Sequence, residues 1–199
     1  MTTEHFVLQG ARAATIAESI GRASMFLVSV SGGLVALGLV ATASRIGTAF
    51  YAFGIILLPT LAFVGFVTFE RVLQSALEDN GLARRIALLR RYYFDNAPEL
   101  ARYLVTIEPW ERVRAQGFPF RRQALRTVAG MVGVITAVLA GSTASLIAIV
   151  SSDHSGAAAL ISGVTVAVAV LTALIRAQWS ALRSDATTPL VANEDERPL

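Results

Sequence analysis

The most prominent feature of the chain is where charge is missing. Residues 23–44, 46–69, 127–152 and 155–175 form runs of 22, 24, 26 and 21 residues with no Asp, Glu, His, Lys or Arg. At 1.5 Å of helical rise per residue, each covers about the 30 Å of a bilayer's hydrocarbon layer. The pattern predicts an all-α protein with four transmembrane helices. Only Arg45 separates the first two runs, and only Asp153 and His154 the last two, so each pair should be a tight antiparallel hairpin. The helix ends beside Arg45 are expected to be inset to make room for the turn. Between the hairpins lies a polar stretch, residues 70–126, read as a helical cytoplasmic insert. Residues 1–22 form an N-terminal cytoplasmic segment, and 176–199 read as a disordered cytoplasmic tail.

The runs contain their own packing signals. Helices in lipid gain little from hydrophobic burial against each other, so close contact relies on small residues. The third run places Ala129, Gly133, Ala137, Gly141 and Ser145 at intervals of four, a candidate helix-packing face. A second small row, Thr136, Ala140, Ala144 and Ala148, lies beside it. The fourth run has Ala159, Gly163 and Ala167, and the first pairs Ser29 with Gly33 and Gly32 with Ala36. Such rows serve either contacts within one chain or self-association. Pro59, near the middle of the second run, removes the bond to the Ile55 carbonyl and is a candidate kink.

Charge sets the expected orientation. All 17 basic residues are Arg, with no Lys and no Cys, and only 16% of the chain is charged against 54% hydrophobic. The mean hydropathy, +0.59, is a membrane composition. If both termini share a side with residues 70–126, that side holds 16 of the 17 Arg. Cytoplasmic segments retain Arg, which predicts a multi-pass protein of a bacterial inner membrane with both termini in the cytoplasm. A rival pattern, Ala41-Thr42-Ala43 before Ser44, has the small residues of a signal-peptidase site. Glu4 and Glu18 before the run, and the run's length, argue against that use.

The composition narrows the chemistry. Without Lys or Cys there is no Walker A lysine, Schiff-base lysine, cysteine nucleophile or thiolate ligand. His5 and His154 fall on opposite sides of the expected membrane, and no G-x-S-x-G or G-x-G-x-x-G motif occurs. No metal, cofactor or catalytic residue is therefore assigned, and the reading is non-enzymatic. Glu70, Glu78 and Asp79 cluster at the end of the second run and are expected to pair with arginines such as Arg71. No Asp, Glu, His or Arg lies inside a run, which disfavours a proton-coupled transporter.

Residues 70–126 hold 11 Arg and 7 acids. A helix continuing to Asp79 is expected to stop at Asn80-Gly81. A second helix over 82–94 carries Leu82, Ile86, Leu89 and Tyr93 on one side and Arg84 and Arg91 on the other. That is the layout of a helix lying in the membrane surface, although Leu88 and Phe94 fall off the stripe. Arg84, Arg85, Arg90 and Arg91, with Tyr92 and Tyr93, are the candidate contacts for an anionic headgroup or phosphate. Asn96, Pro98 and Glu99 then form a helix N-terminus leading to Tyr103 or Leu104.

The run Arg90-Arg91-Tyr92-Tyr93-Phe94-Asp95-Asn96-Ala97-Pro98-Glu99-Leu100, placed between spans two and three, resembles a segment of uncharacterised small bacterial multi-pass membrane proteins. It covers about 11 of the 199 residues, and the resemblance implies no activity. The expected partners are a bilayer with anionic headgroups, a second copy of the chain, or a cytoplasmic protein. Nucleic acid is not expected, since a net charge of +3 is modest and the bilayer competes for it. The favoured role is an interaction or sensing module acting through the insert. A pore built from several copies is the alternative.

Overall fold

The computed structural model describes residues 2–96, 127–151 and 156–187, and these are helical apart from residues 45–47 and Thr127. The elements are α1 (Thr2–Ser44), α2 (Thr48–Asn96), α3 (Val128–Ser151) and α4 (Gly156–Thr187). All four are long and apolar enough to cross a membrane. Each contains one of the charge-free runs, and α1–α2 and α3–α4 form two antiparallel hairpins.

The first hairpin reverses direction without inset helix ends. Arg45 and Ile46 both adopt left-handed backbone conformations, with φ of 49° and 58°. The Ile46 N–H donates to the Ala41 carbonyl at 3.0 Å and the Gly47 N–H to the Ser44 carbonyl at 2.9 Å. These bonds satisfy carbonyls that the end of α1 would leave open. A β-branched residue at positive φ is uncommon. Two consecutive left-handed residues turn the chain within three positions, so both helices keep their full length.

The helices form a row, with α1 against α2, α2 against α3, and α3 against α4, while α1 and α4 scarcely meet. Burial follows that order. Over the most apolar stretch of each helix, 39% of α3 and 28% of α2 is buried, against 17% for α1 and for α4. The two edge helices therefore face outward over most of their surface, and among the described residues the row is open between them.

Close backbone approach holds the second hairpin. A side chain at Gly141 would stand 2.6 Å from the Gly163 carbonyl and 2.8 Å from Ala167 Cβ. One at Gly163 would run into Ser145 Oγ, which itself donates across the interface to the Ala159 carbonyl at 2.8 Å. Gly133 faces Phe69 of α2 and Leu174 of α4, and Ala137 is 2% exposed. The row from Ala129 to Ser145 is thus occupied by the chain's own helices. Between α2 and α3, Gly65 admits Thr136 and the Phe26 ring into the space a side chain would fill. Phe26, Phe69, Val72, Val132 and Leu174 belong to one buried cluster, densest where the charge-free runs meet the arginine-rich end.

Three expectations are corrected. Asn80-Gly81 does not stop a helix, because α2 continues without a break to Asn96. Leu, Ala and Arg dominate the following two turns and favour helix by enough to offset the roughly 1 kcal/mol a glycine costs. Ile86, 7% exposed, is buried as well. Residues 82–94 are therefore not a separate helix lying in the membrane surface, and the side that carries Ile86 is turned toward protein. The beginning of the tail is also helical, since α4 runs through Arg176 to Thr187. Pro59 sits inside α2 without ending it. The helix start expected at Asn96, Pro98 and Glu99 lies outside the described residues beyond α2's last residue, Asn96.

Two substitutions separate the roles of the glycines. Gly141→Leu should destabilise the protein by about 1–3 kcal/mol, as overpacking at a tight contact does. Gly81→Ala meets open space and should stabilise by about 0.5–1 kcal/mol. Unfolding titrations in detergent measure both.

Candidate functional site

Residues on either side of the charge-free runs come together at one end of the row. The start of α1, the second half of α2, the start of α3 and the end of α4 surround a cavity of about 320 Å³. Seven arginines whose side chains are described lie at this end: Arg12, Arg22, Arg71, Arg84, Arg85, Arg176 and Arg183. Arg45 sits in the turn at the other end.

Three walls of the cavity come from just outside a charge-free run, and the fourth from the first residues of one. Ile16 and Ser19 precede the run that begins at Ala23, and Val72 and Asp79 follow the run that ends at Phe69. Thr127 and Val128 open α3, and Gln178 and Leu182 follow Ile175 on α4. The buried layer of Phe26, Phe69, Val132 and Leu174 lies on the membrane side. The cavity therefore stops at the membrane's edge instead of continuing between the spans.

An ion pair clasps α1 to α2 beside it. Arg12 donates from Nε to Asp79 Oδ1 at 2.6 Å and from a terminal nitrogen to Oδ2 at 3.3 Å. This two-pronged geometry matches the guanidinium fork to a carboxylate. The hydrogen bond to Asp79 raises the Arg12 pKa above its ordinary value. Partial burial works against that rise and the carboxylate's charge adds to it. Arg12 lies outside the charge-free run and stays cationic at any physiological pH. The expected partner of the Asp79 cluster, Arg71, instead donates to Gln74 at 3.3 Å. Arg22 pairs with Glu18 at 2.7 Å, and the Arg183 guanidinium lies 5.6 Å from the centre of the Trp179 ring.

Two buried polar residues line the cavity. Gln178, 3% exposed, donates from Nε2 to Thr127 Oγ1 at 3.2 Å, and the same oxygen accepts the Gly130 N–H at 3.1 Å, capping α3. Ser75, 8% exposed, donates to the Arg71 carbonyl at 3.1 Å. Neither residue stood out in the sequence. A glutamine two positions beyond Arg176 reads as ordinary surface until the other three helices are placed around it.

The candidate anion contacts are separate from this cavity. Arg84 is partly buried and Arg85 exposed on the continuation of α2, about 20 Å past Phe69 along the helix. Arg90, Arg91, Tyr92 and Tyr93 occupy its last turns, and their side chains lie outside the described residues. Among the described residues no cluster of three His, Cys, Asp or Glu stands at metal-binding distance. No protein-family model, curated protein or solved structure matches the chain.

The clasp is testable by a double-mutant cycle. Both groups are partly exposed and screened by water, so Arg12→Ala and Asp79→Ala should each cost less than about 1 kcal/mol, with a coupling of 0.2–1 kcal/mol. The exchanged pair, Arg12→Asp with Asp79→Arg, should recover most of that coupling in the same unfolding assay.

Proposed function

We propose that the protein is a non-enzymatic module of a bacterial cell membrane that presents a helical extension to a soluble cytoplasmic partner with an anionic surface. The observation that carries this reading is the continuation of α2 to Asn96, far beyond the charge-free run. The run fills the hydrocarbon layer, and the headgroup region adds only about 5–8 Å on each side. Arg84 and Arg85 stand about 20 Å past its end, and an ordinary helix tilt of about 20° shortens that distance only slightly. Headgroups are out of their ordinary reach, whereas a soluble partner is not. Arg90 and Arg91 lie further along the same helix. The cytoplasmic assignment follows from the one-sided arginines.

A pore is the poorer reading. Most hydroxyls of the spans donate to carbonyls of their own helices: Thr60 to Ile56, Thr136 to Val132, Thr165 to Ile161 and Thr172 to Val168. They are spread over several helices and are not aligned along one, as the wall of a water-filled path requires. A second copy of the chain would have to meet outward-facing apolar side chains such as those of α1 and α4 rather than the small-residue row of α3, which is filled.

Two measurements test this reading. A fluorophore on Arg85→Cys, the sole thiol in a chain with no native Cys, should be quenched by an aqueous quencher and not by headgroup-attached spin labels. The opposite pattern would place this helix on the membrane surface. Reconstituted liposomes should show no ion flux above that of empty vesicles, and steady conductance contradicts the module reading.

A further inference from the structure

The cavity at the arginine-rich end has features that point to a ligand independently of the helical extension. Its position is the first. It lies just outside the ends of the charge-free runs, at the depth of the lipid headgroups, and among the described residues the row of helices is open between α1 and α4. A molecule in the leaflet can approach sideways without passing through the bundle.

Its chemistry is the second. Asp79 is the only ionisable residue in the lining, and Arg12 already holds both of its oxygens. An ionised headgroup entering the cavity would lose its hydration and find no free countercharge there. Gln178 and Ser75, both more than nine-tenths buried, have hydrogen-bonding capacity left over. The Gln178 amide oxygen accepts no hydrogen bond from the described residues, and Ser75 Oγ donates without accepting. Beside them Ile16, Ile20, Val72 and Leu182 supply apolar wall. A hydroxyl both donates and accepts, so it complements a buried amide and a buried serine together.

Size is the third. About 320 Å³ equals roughly ten waters at 30 Å³ each, enough for a glycerol-sized head and the first carbons of a chain.

We propose that this cavity binds the hydroxyl-bearing head of an uncharged glycerolipid, such as a monoacylglycerol, entering from the leaflet between α1 and α4. Gln178 and Ser75 hold the hydroxyls, and the acyl chain stays in the membrane.

The full chain in phosphatidylcholine nanodiscs can be tested with a photoactivatable monoacylglycerol, the cross-linked residues being mapped by mass spectrometry. A phosphatidylglycerol carrying the same reactive group serves as the anionic comparison. Cross-links should concentrate on Ile16, Ile20, Val72 and Leu182, and the anionic probe should label these residues at least five-fold less. Gln178→Leu with Ser75→Val should reduce the labelling at least five-fold. Ser19→Trp, which fills the cavity from the less buried α1 side, should do the same and does not depend on the buried pair surviving substitution. Labelling spread evenly over the lipid-facing residues, equal labelling by the anionic probe, or labelling unchanged in the folded variants would each overturn the assignment.

Discussion

The arrangement depends on how closely two helices can approach inside lipid. Hydrocarbon tails are as apolar as leucine, so burial alone gives α3 no reason to prefer α4 over the bilayer. Contact has to be gained through dispersion at short range, and Gly141 makes that possible by leaving room for the Gly163 carbonyl and Ala167. Ser145 adds a hydrogen bond across the same seam. With one side of α3 committed to α4, another remains for α2, and α1 is left to pack on α2. The outcome is a row with two outward-facing edge helices rather than a closed bundle. Because α1 and α4 scarcely meet, the described residues leave a cavity at the end of the row.

The second determinant is that the helices do not end where the membrane does. α1 begins at Thr2 and α2 continues to Asn96, so both extend well past the charge-free runs. The paired Arg12 and Asp79 join the two extensions across 67 positions of sequence. Two layers result. Near the membrane edge the described charges are largely engaged, by Asp79, Glu18, Gln74 and the Trp179 ring. Farther out, α2 carries the arginine pairs away from the headgroups. The cavity belongs to the first layer and the proposed partner surface to the second, so either can be lost without the other.

Much of this was legible in the chain itself because it rests on coarse physical quantities. A run of more than 20 residues without charge has few alternatives to a membrane helix, and the grouping of arginines requires no geometry at all. The failures were local. Asn80-Gly81 has the chemistry of a helix end, but a stop signal is a preference of about 1 kcal/mol, and neighbouring propensity and burial of Ile86 outweigh it. The amphipathic stripe at Leu82 and Ile86 was visible, yet periodicity cannot distinguish a lipid surface from a protein surface as its partner. The Arg12–Asp79 clasp and the cavity around Gln178 and Ser75 unite residues far apart in the chain. Only the placement of the spans brings them together.

The rest depends on α2 being one unbroken helix from the membrane into the surrounding water. Single spin labels placed at successive positions from 70 to 88, in the full chain reconstituted into bilayers, test it directly. Accessibility to a water-soluble relaxant should oscillate with a period of 3.6 residues and keep its phase across Asn80 and Gly81, while accessibility to oxygen in the lipid falls steadily from Glu70 onward. A phase break at Asn80-Gly81, with oxygen accessibility rising again beyond it, would mean that the helix bends back onto the membrane and would contradict the account.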